Sequence, residues 1–271
     1  LGRFLEFAEK HKFANTDCSK FNRLHVVRCV ETRQKNGENA TSINNDRTAI
    51  NSIITQMVHD GYMEANFVRD IPKLQTTPVK NHPFTELQIK DIQDCLEKED
   101  PLLLDYIRLL AYSFLRNSEV ATLKVGDIDM RYKQITASDT KTKAIDKIYI
   151  IEPLQRIFER MQLHKYEKDH YVFTPQGTPG EWTSTDRSKR DFFSKRFRKV
   201  KDKFGFGNEY GSFAVHVLET LMKRGLNYNE AVNKMLPITR HESVQALENY
   251  LREKKNMLPK DYTLDIEGIG L

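Results

Sequence analysis

A proline-marked break near residue 80 constrains this chain more than any other feature. Leu74-Gln75-Thr76-Thr77-Pro78-Val79-Lys80-Asn81-His82-Pro83 holds two prolines and no apolar period, so neither a helix nor a strand can run through it. Helical periodicity stands on both sides. With 271 residues, 39% hydrophobic and 10% aromatic, the chain can fill a core in each half. We therefore expect a helical domain over residues 1–74, a linker over 75–84, a second domain over 85–258 and a tail over 259–271.

Before the break, Asn22–Gln34 reads as one helix. Asn39-Ala40-Thr41-Ser42 leads into another that runs to about His59, with Ile43, Ile50, Ile53, Ile54 and Met57 on one stripe and Gly61 as its cap. After the break, Thr85 and Gln88 have capping-box spacing, and Phe84 with Ile89 has hydrophobic-staple spacing. Helices are expected at about 85–98 and 101–116. Gln134–Ser138 and Lys147–Ile151 are β-prone segments around a polar turn and predict a hairpin. The rest reads as helix, which makes the fold mainly α with a small antiparallel sheet.

Three cysteines (Cys18, Cys29, Cys95) have no metal-ligand spacing and read as thiols of a reducing compartment. No run of eighteen apolar residues exists, so no membrane span is expected. The start, Leu1-Gly2-Arg3-Phe4-Leu5, lacks an initiator Met and a cleavage site, and we expect it to lie inside a longer gene product.

The net charge is 43 − 38 = +5, and its distribution says more than its size. Arg187, Lys189, Arg190, Lys195, Arg196, Arg198, Lys199, Lys201 and Lys203 crowd one segment, where Phe192, Phe193, Phe197, Val200 and Phe204 recur at helical spacing. Such a helix anchors an apolar face and displays cations. A solvated face is the ordinary reading; phosphate contacts are the functional one, with Lys195, Arg196, Arg198 and Lys199 foremost.

Three further segments carry chemistry. The first is Leu115-Arg116-Asn117-Ser118-Glu119-Val120-Ala121-Thr122-Leu123, followed by Asp127-Ile128-Asp129; here a helix is expected to end in Arg116. The second is the Lys-rich turn Asp139-Thr140-Lys141-Thr142-Lys143. The third is Ile238-Thr239-Arg240-His241, with Ala246-Leu247-Glu248-Asn249-Tyr250-Leu251-Arg252. Taken singly, each of these residues has a structural explanation. Together they resemble the tyrosine recombinases (the phage integrase family), whose first box reads Leu-Arg-x-Ser/Gly-Glu-x-x-x-Leu. The closing segment is similar to integrases of Bacteroidetes-type mobile elements.

The resemblance implies a helical core-binding domain of the SAM-like kind followed by a catalytic domain. It implies Arg116 as a phosphate ligand, Lys141 (or Lys143, which also qualifies as a DNA contact) as the proton donor on the hairpin, His241 as the second histidine position and Tyr250 as the nucleophile. The partner it implies is double-stranded DNA, bound by a tetramer on paired sites and by a monomer or dimer off DNA. No cofactor and no metal are implied, and the setting is the bacterial cytoplasm on the nucleoid. Arg240, a further candidate DNA contact, stands where the family has Gly.

The middle box departs. The family has His-x-x-Arg at the start of a helix that ends in Gly. Counting back from Gly225 places Ala214 on that Arg and Gly211 on the His, and Ser212-Phe213 supports this frame. The rival frame, His216-Val217-Leu218-Glu219, puts Glu219 there instead. Either way the second Arg is missing, and neither Ala nor Glu replaces a bidentate guanidinium. The function read from the sequence is therefore a site-specific recombinase that works through a 3′-phosphotyrosine. The alternatives are a catalytically impaired DNA-binding relative with a regulatory or architectural role, and a nicking-closing enzyme of the topoisomerase kind.

Overall fold

The computed structural model describes residues 2–15, 17, 20–76, 84–138, 145–207 and 214–251; for residues 138, 145, 214–216, 249 and 250 it describes the backbone alone. The chain divides into two compact units, Leu1–Pro78 and Val79–Leu271. Most of the expected linker lies outside the described residues.

The first unit is helical: α1 (Gly2–Lys10), α2 (Arg23–Lys35) and α3 (Ala40–His59). Asn22 caps α2 and Asn39 caps α3 with side-chain oxygens, and Gly61 follows α3 at φ +80°, as turn chemistry dictates. Phe4, Ala8, Val26, Cys29, Ile50, Ile54, Val68 and Ile71 form its core. Burial pushes the Cys29 thiol up to about 11, so this sulfur is inert. Helix α1 precedes the segments that the sequence marks as helical. One expectation needs correction: Ile53, placed on the apolar stripe, is exposed, because it sits one position off the arc that Ile50 and Ile54 bury.

The second unit begins with α4 (Glu86–Glu99), which has the reciprocal capping box of Thr85 and Gln88. Then come α5 (Pro101–Ser113), α6 (Asn117–Ala121) and a three-stranded antiparallel sheet, β1 (Ile128–Asp129), β2 (Gln134–Ser138) and β3 (Ile145–Tyr149). Opposite pairs across β2 and β3 include Ile135 with Ile148 and Ala137 with Asp146. Strand β3 starts two residues earlier than its apolar run suggests. The Ile150 N–H is already bonded to the Lys133 carbonyl at 2.8 Å, and Ile151 opens α7 (Glu152–Met161) with Pro153 in the first turn. Before the sheet, Gly126 lies against Lys168: a Cβ on Gly126 would stand 2.8 Å from the Lys168 carbonyl oxygen. Helices α8 (Asp186–Lys203), α9 (Ala214–Lys223), α10 (Tyr228–Thr239) and α11 (Val244–Tyr250) complete the unit.

This unit has two cores. The larger joins α4, α5, α7, the sheet and α8, and at its centre Tyr106 stacks on Phe193 at 3.9 Å with the rings 8° from parallel. The smaller consists of Leu218, Leu221, Ala231, Val232, Met235, Leu247 and Leu251, with Phe114 packed against it. Among the described residues, no helix is long and apolar enough to cross a membrane.

Candidate active site

The helix expected over 101–116 stops at Ser113. Phe114 is left-handed, at φ 54°, and the Ser113 hydroxyl donates to the Leu109 carbonyl while accepting from the Leu115 N–H. Arg116 therefore starts a new helix instead of ending the old one. This correction explains the spacing to Glu119: at the third position of α6, the Glu119 carboxylate turns back, and its Oε2 accepts the Arg116 backbone N–H at 2.7 Å. Its Oε1 accepts from the Arg116 guanidinium at 2.8 Å. Glu119 is buried (side chain 6% exposed), whereas the Arg116 side chain is 56% exposed. One end of Arg116 is thus clamped, and the cationic group reaches solvent. Next to it, the Asn117 amide donates to Ser194 on α8 at 2.8 Å, which brings the basic helix alongside.

The other half of the site comes from the end of α10. Thr239 donates its hydroxyl to the Met235 carbonyl (3.0 Å) and lies 2.9 Å from His241 Nδ1. Because that hydroxyl proton is committed, Thr239 Oγ1 accepts from Nδ1, and Nε2 is the ring's acceptor atom. Burial first, and then the Arg116 charge, hold the imidazole below its usual value. His241 is therefore neutral at pH 7, and the fold brings Arg116 and His241, 125 positions apart in sequence, within electrostatic reach of each other.

Arg240 adopts the left-handed conformation, φ 56° and ψ 36°, at the C-cap of α10. The family's Gly fits that conformation freely, whereas an L side chain there costs roughly 1–2 kcal/mol. Its guanidinium is 13% exposed and lies between two carboxylates, Glu119 (2.5 Å) and Asp146 (2.9 Å). Arg240 is thus engaged inside the protein, away from the role of a displayed DNA contact.

The basic helix is divided in the same way. Phe193 is buried, and Phe192, Phe197, Val200 and Phe204 pack against the larger core. Lys189, counted among the displayed cations, is buried with its Nζ 3.8 Å from the centre of the Tyr171 ring. Arg196 donates to both oxygens of Asp100 (2.7 and 2.5 Å), and Lys203 is paired with Glu99. Lys195, Arg198 and Lys199 form the exposed stripe, and among the described residues none of them has a salt bridge. Asp100 and Glu99 lie about a hundred positions away in sequence, so no local signal announces these pairs.

Lys141 and Lys143 lie outside the described residues. Tyr250 is the last residue of α11, and Ala214 the first of α9; for both, only the backbone is described. Below Tyr250, Leu247 and Leu251 are buried as expected, but Val244 is exposed, since it starts the helix before the small core is reached. Sequence reasoning missed Thr239, Asp146 and the role of Glu119; only Glu119, three residues after Arg116, carries a local signal.

No family model matches the chain, and no curated protein is similar to it in sequence. Solved structures are similar in fold. One is the Tn1549 transposon integrase in complex with circular intermediate DNA, at 17% identity and TM-score 0.58, over 92% of this chain and 87% of that one. Another is a lambda integrase dimer bound to a COC′ core site, at 13% identity and TM-score 0.67, over 95% and 89%. A third is a lambda integrase tetramer bound to a Holliday junction, at 12% identity and TM-score 0.63, over 90% and 69%. The mainly helical architecture, the three-stranded antiparallel sheet and these likenesses establish that the chain has the fold of the tyrosine recombinases.

Proposed function

We propose that the protein cleaves and rejoins double-stranded DNA through a 3′-phosphotyrosine on Tyr250, as a site-specific recombinase. The observation that carries this reading is the row of ion pairs Arg116–Glu119–Arg240, which ties Arg116 to the residue next to His241 on this fold. A phosphodiester repels nucleophiles, so a clamped, outward-facing guanidinium supplies the charge stabilisation that attack requires. Tyr250 Oη forms a bond to phosphorus while the bond to the 5′-oxygen breaks. Neutral His241 takes the phenolic proton through Nε2, and Lys141 gives one to the departing 5′-oxygen. The phosphotyrosine keeps the ester bond energy, so an incoming 5′-hydroxyl can reverse every step.

Lys195, Arg198 and Lys199 supply affinity along the flanking phosphates. Recombination requires two sites held together, and we propose a tetramer on DNA for that purpose. Ala214 at the start of α9 favours a second reading, a DNA-binding protein whose cleavage is slow because one charged donor is absent. The two readings separate on nicked suicide duplexes: recombination demands a detergent-resistant protein–DNA adduct, and the impaired protein binds without forming one. In Tyr250→Phe, binding should persist and any adduct should vanish completely. An adduct that survives this change sinks the assignment of the nucleophile.

A further inference from the structure

The guanidinium of Arg240 joins three parts of the second unit. Nη1 donates to Asp146 on β3 (2.9 Å), and Nη2 donates to Glu119 on α6 (2.5 Å) and to the Phe114 carbonyl (3.4 Å). These partners stand 94, 121 and 126 positions away in sequence. Its Nε is buried and has no hydrogen-bond partner among the described residues, so Nη1 and Nη2 make the contacts of this junction. Glu119 divides its two oxygens: Oε1 meets the Arg116 guanidinium, and Oε2 is shared by the Arg116 backbone N–H and Arg240.

Two cations and two anions therefore alternate in the order Arg116, Glu119, Arg240, Asp146. Without Arg240, Asp146 would lose its ion pair, and the buried Glu119, which already meets Arg116 at 2.8 Å, would have that guanidinium as its sole cation in the row. Attraction across a few ångströms in a partly dry site is strong, so Arg116 would be drawn into neutralising protein carboxylates. Its charge would then be unavailable to a phosphate.

We propose that Arg240 is a positioning residue for phosphate binding: it engages Glu119 and Asp146, docks β3 against the end of α10, and leaves Arg116 its positive charge. The proposal rests on the reading of Arg116 as a phosphate ligand. With its side chain 13% exposed and donating to Asp146, Glu119 and the Phe114 carbonyl, Arg240 acts through Arg116 and not on the phosphate itself. The left-handed backbone at this position is the local strain that the junction offsets.

The test is a double-mutant cycle on duplex affinity, measured against salt with a fluorescein-labelled DNA duplex. In the native background, Arg116→Gln should lower the log–log salt slope by roughly one unit, the loss of one phosphate contact. In the Arg240→Gly background, where glycine fits the left-handed turn, Arg116→Gln should change the slope no further. Arg240→Lys keeps a cation and should restore most of the Arg116 effect. A loss of one unit in both backgrounds would overturn the proposal, since a merely stabilising residue acts independently of Arg116.

A readout without DNA runs alongside. The Arg116 backbone N–H should exchange with solvent faster in Arg240→Gly than in the native protein, while Leu109 in the larger core stays protected. Unchanged exchange at Arg116 would overturn the proposal too. If the native chain binds no duplex at any salt, the reading of function fails, and amide exchange still decides whether Arg240 holds Glu119.

Discussion

The second unit has two cores of unequal size, and the proposed site straddles them. The larger core surrounds Arg116 closely: Leu115, Val120, Ala121 and Leu123 are all buried within it. The smaller, on α9–α11, the helices that lead to His241 and Tyr250, has seven buried apolar residues among those described. A small core gains less from burial and opens at lower free energy. In the proposed function, charge stabilisation thus belongs to the larger core, and the proposed proton acceptor and nucleophile to the smaller one. Phe114, against the small core, and Arg240, reaching back to Glu119 and Asp146, join the two.

The largest effect is expected at the start of the small core. If Ala214 occupies the place of a phosphate-binding guanidinium, Ala214→Arg should raise the rate of adduct formation on suicide duplexes by about a hundredfold to a thousandfold, and Glu219→Arg should not. The quantity to compare is the rate at saturating protein. Fast cleavage by the native chain would mean that no donor is missing, and activation by the Glu219 change alone would favour the frame on His216.

The inequality of the cores is itself testable by truncation. Leu109→Ala and Leu247→Ala each remove a buried side chain and should each destabilise by roughly 2–5 kcal/mol. The change at Leu247 should release amide protection in α9–α11 before α4–α5; the change at Leu109 should lower the main unfolding transition. One shared transition in both variants would show that the two cores unfold together.

A smaller effect belongs to the side of the larger core. Changing Lys195, Arg198 and Lys199 together to Ala should weaken binding to every duplex, with a loss of roughly one unit of log–log salt slope per phosphate contact. Changing the buried Lys189 instead should reduce stability and leave the slope alone. A slope unmoved by the triple change would remove α8 from the DNA surface.

The smallest effect is a pH dependence on the side of the smaller core. Because the folded protein holds His241 below its usual value of 6.5, the unfolded chain takes up a proton there first as pH falls. Stability should therefore be lost below about pH 6.5, through the lowered folded value, and be unaffected above it. His241→Gln should flatten that part of the profile, followed by thermal unfolding. An unchanged profile would show that the imidazole is not desolvated.

How much of this was legible depended on range. The caps at Asn22, Asn39 and Thr85 and the aromatic stripe of α8 are encoded within a turn or two of chain, and each could be read directly. The end of α5 was not legible: a Phe at positive φ has no local signature, and the expected helix ran three residues too far. Arg116 was recognisable from its neighbours, yet its clamp by Glu119 emerged only once α6 was seen to begin there.

By itself the sequence determined the capped starts of α2, α3 and α4, the apolar face of α8 and the two strands that pair as β2 and β3, because apolar period and capping act over a few residues. Tertiary structure alone decided which cations face out. Lys189 lies under the Tyr171 ring, Arg196 meets Asp100, and Arg240 turns inward between Glu119 and Asp146. Each of these outcomes depends on a partner about twenty to over a hundred residues away. A long, flexible cationic side chain has no direction of its own until packing brings that partner within hydrogen-bond reach.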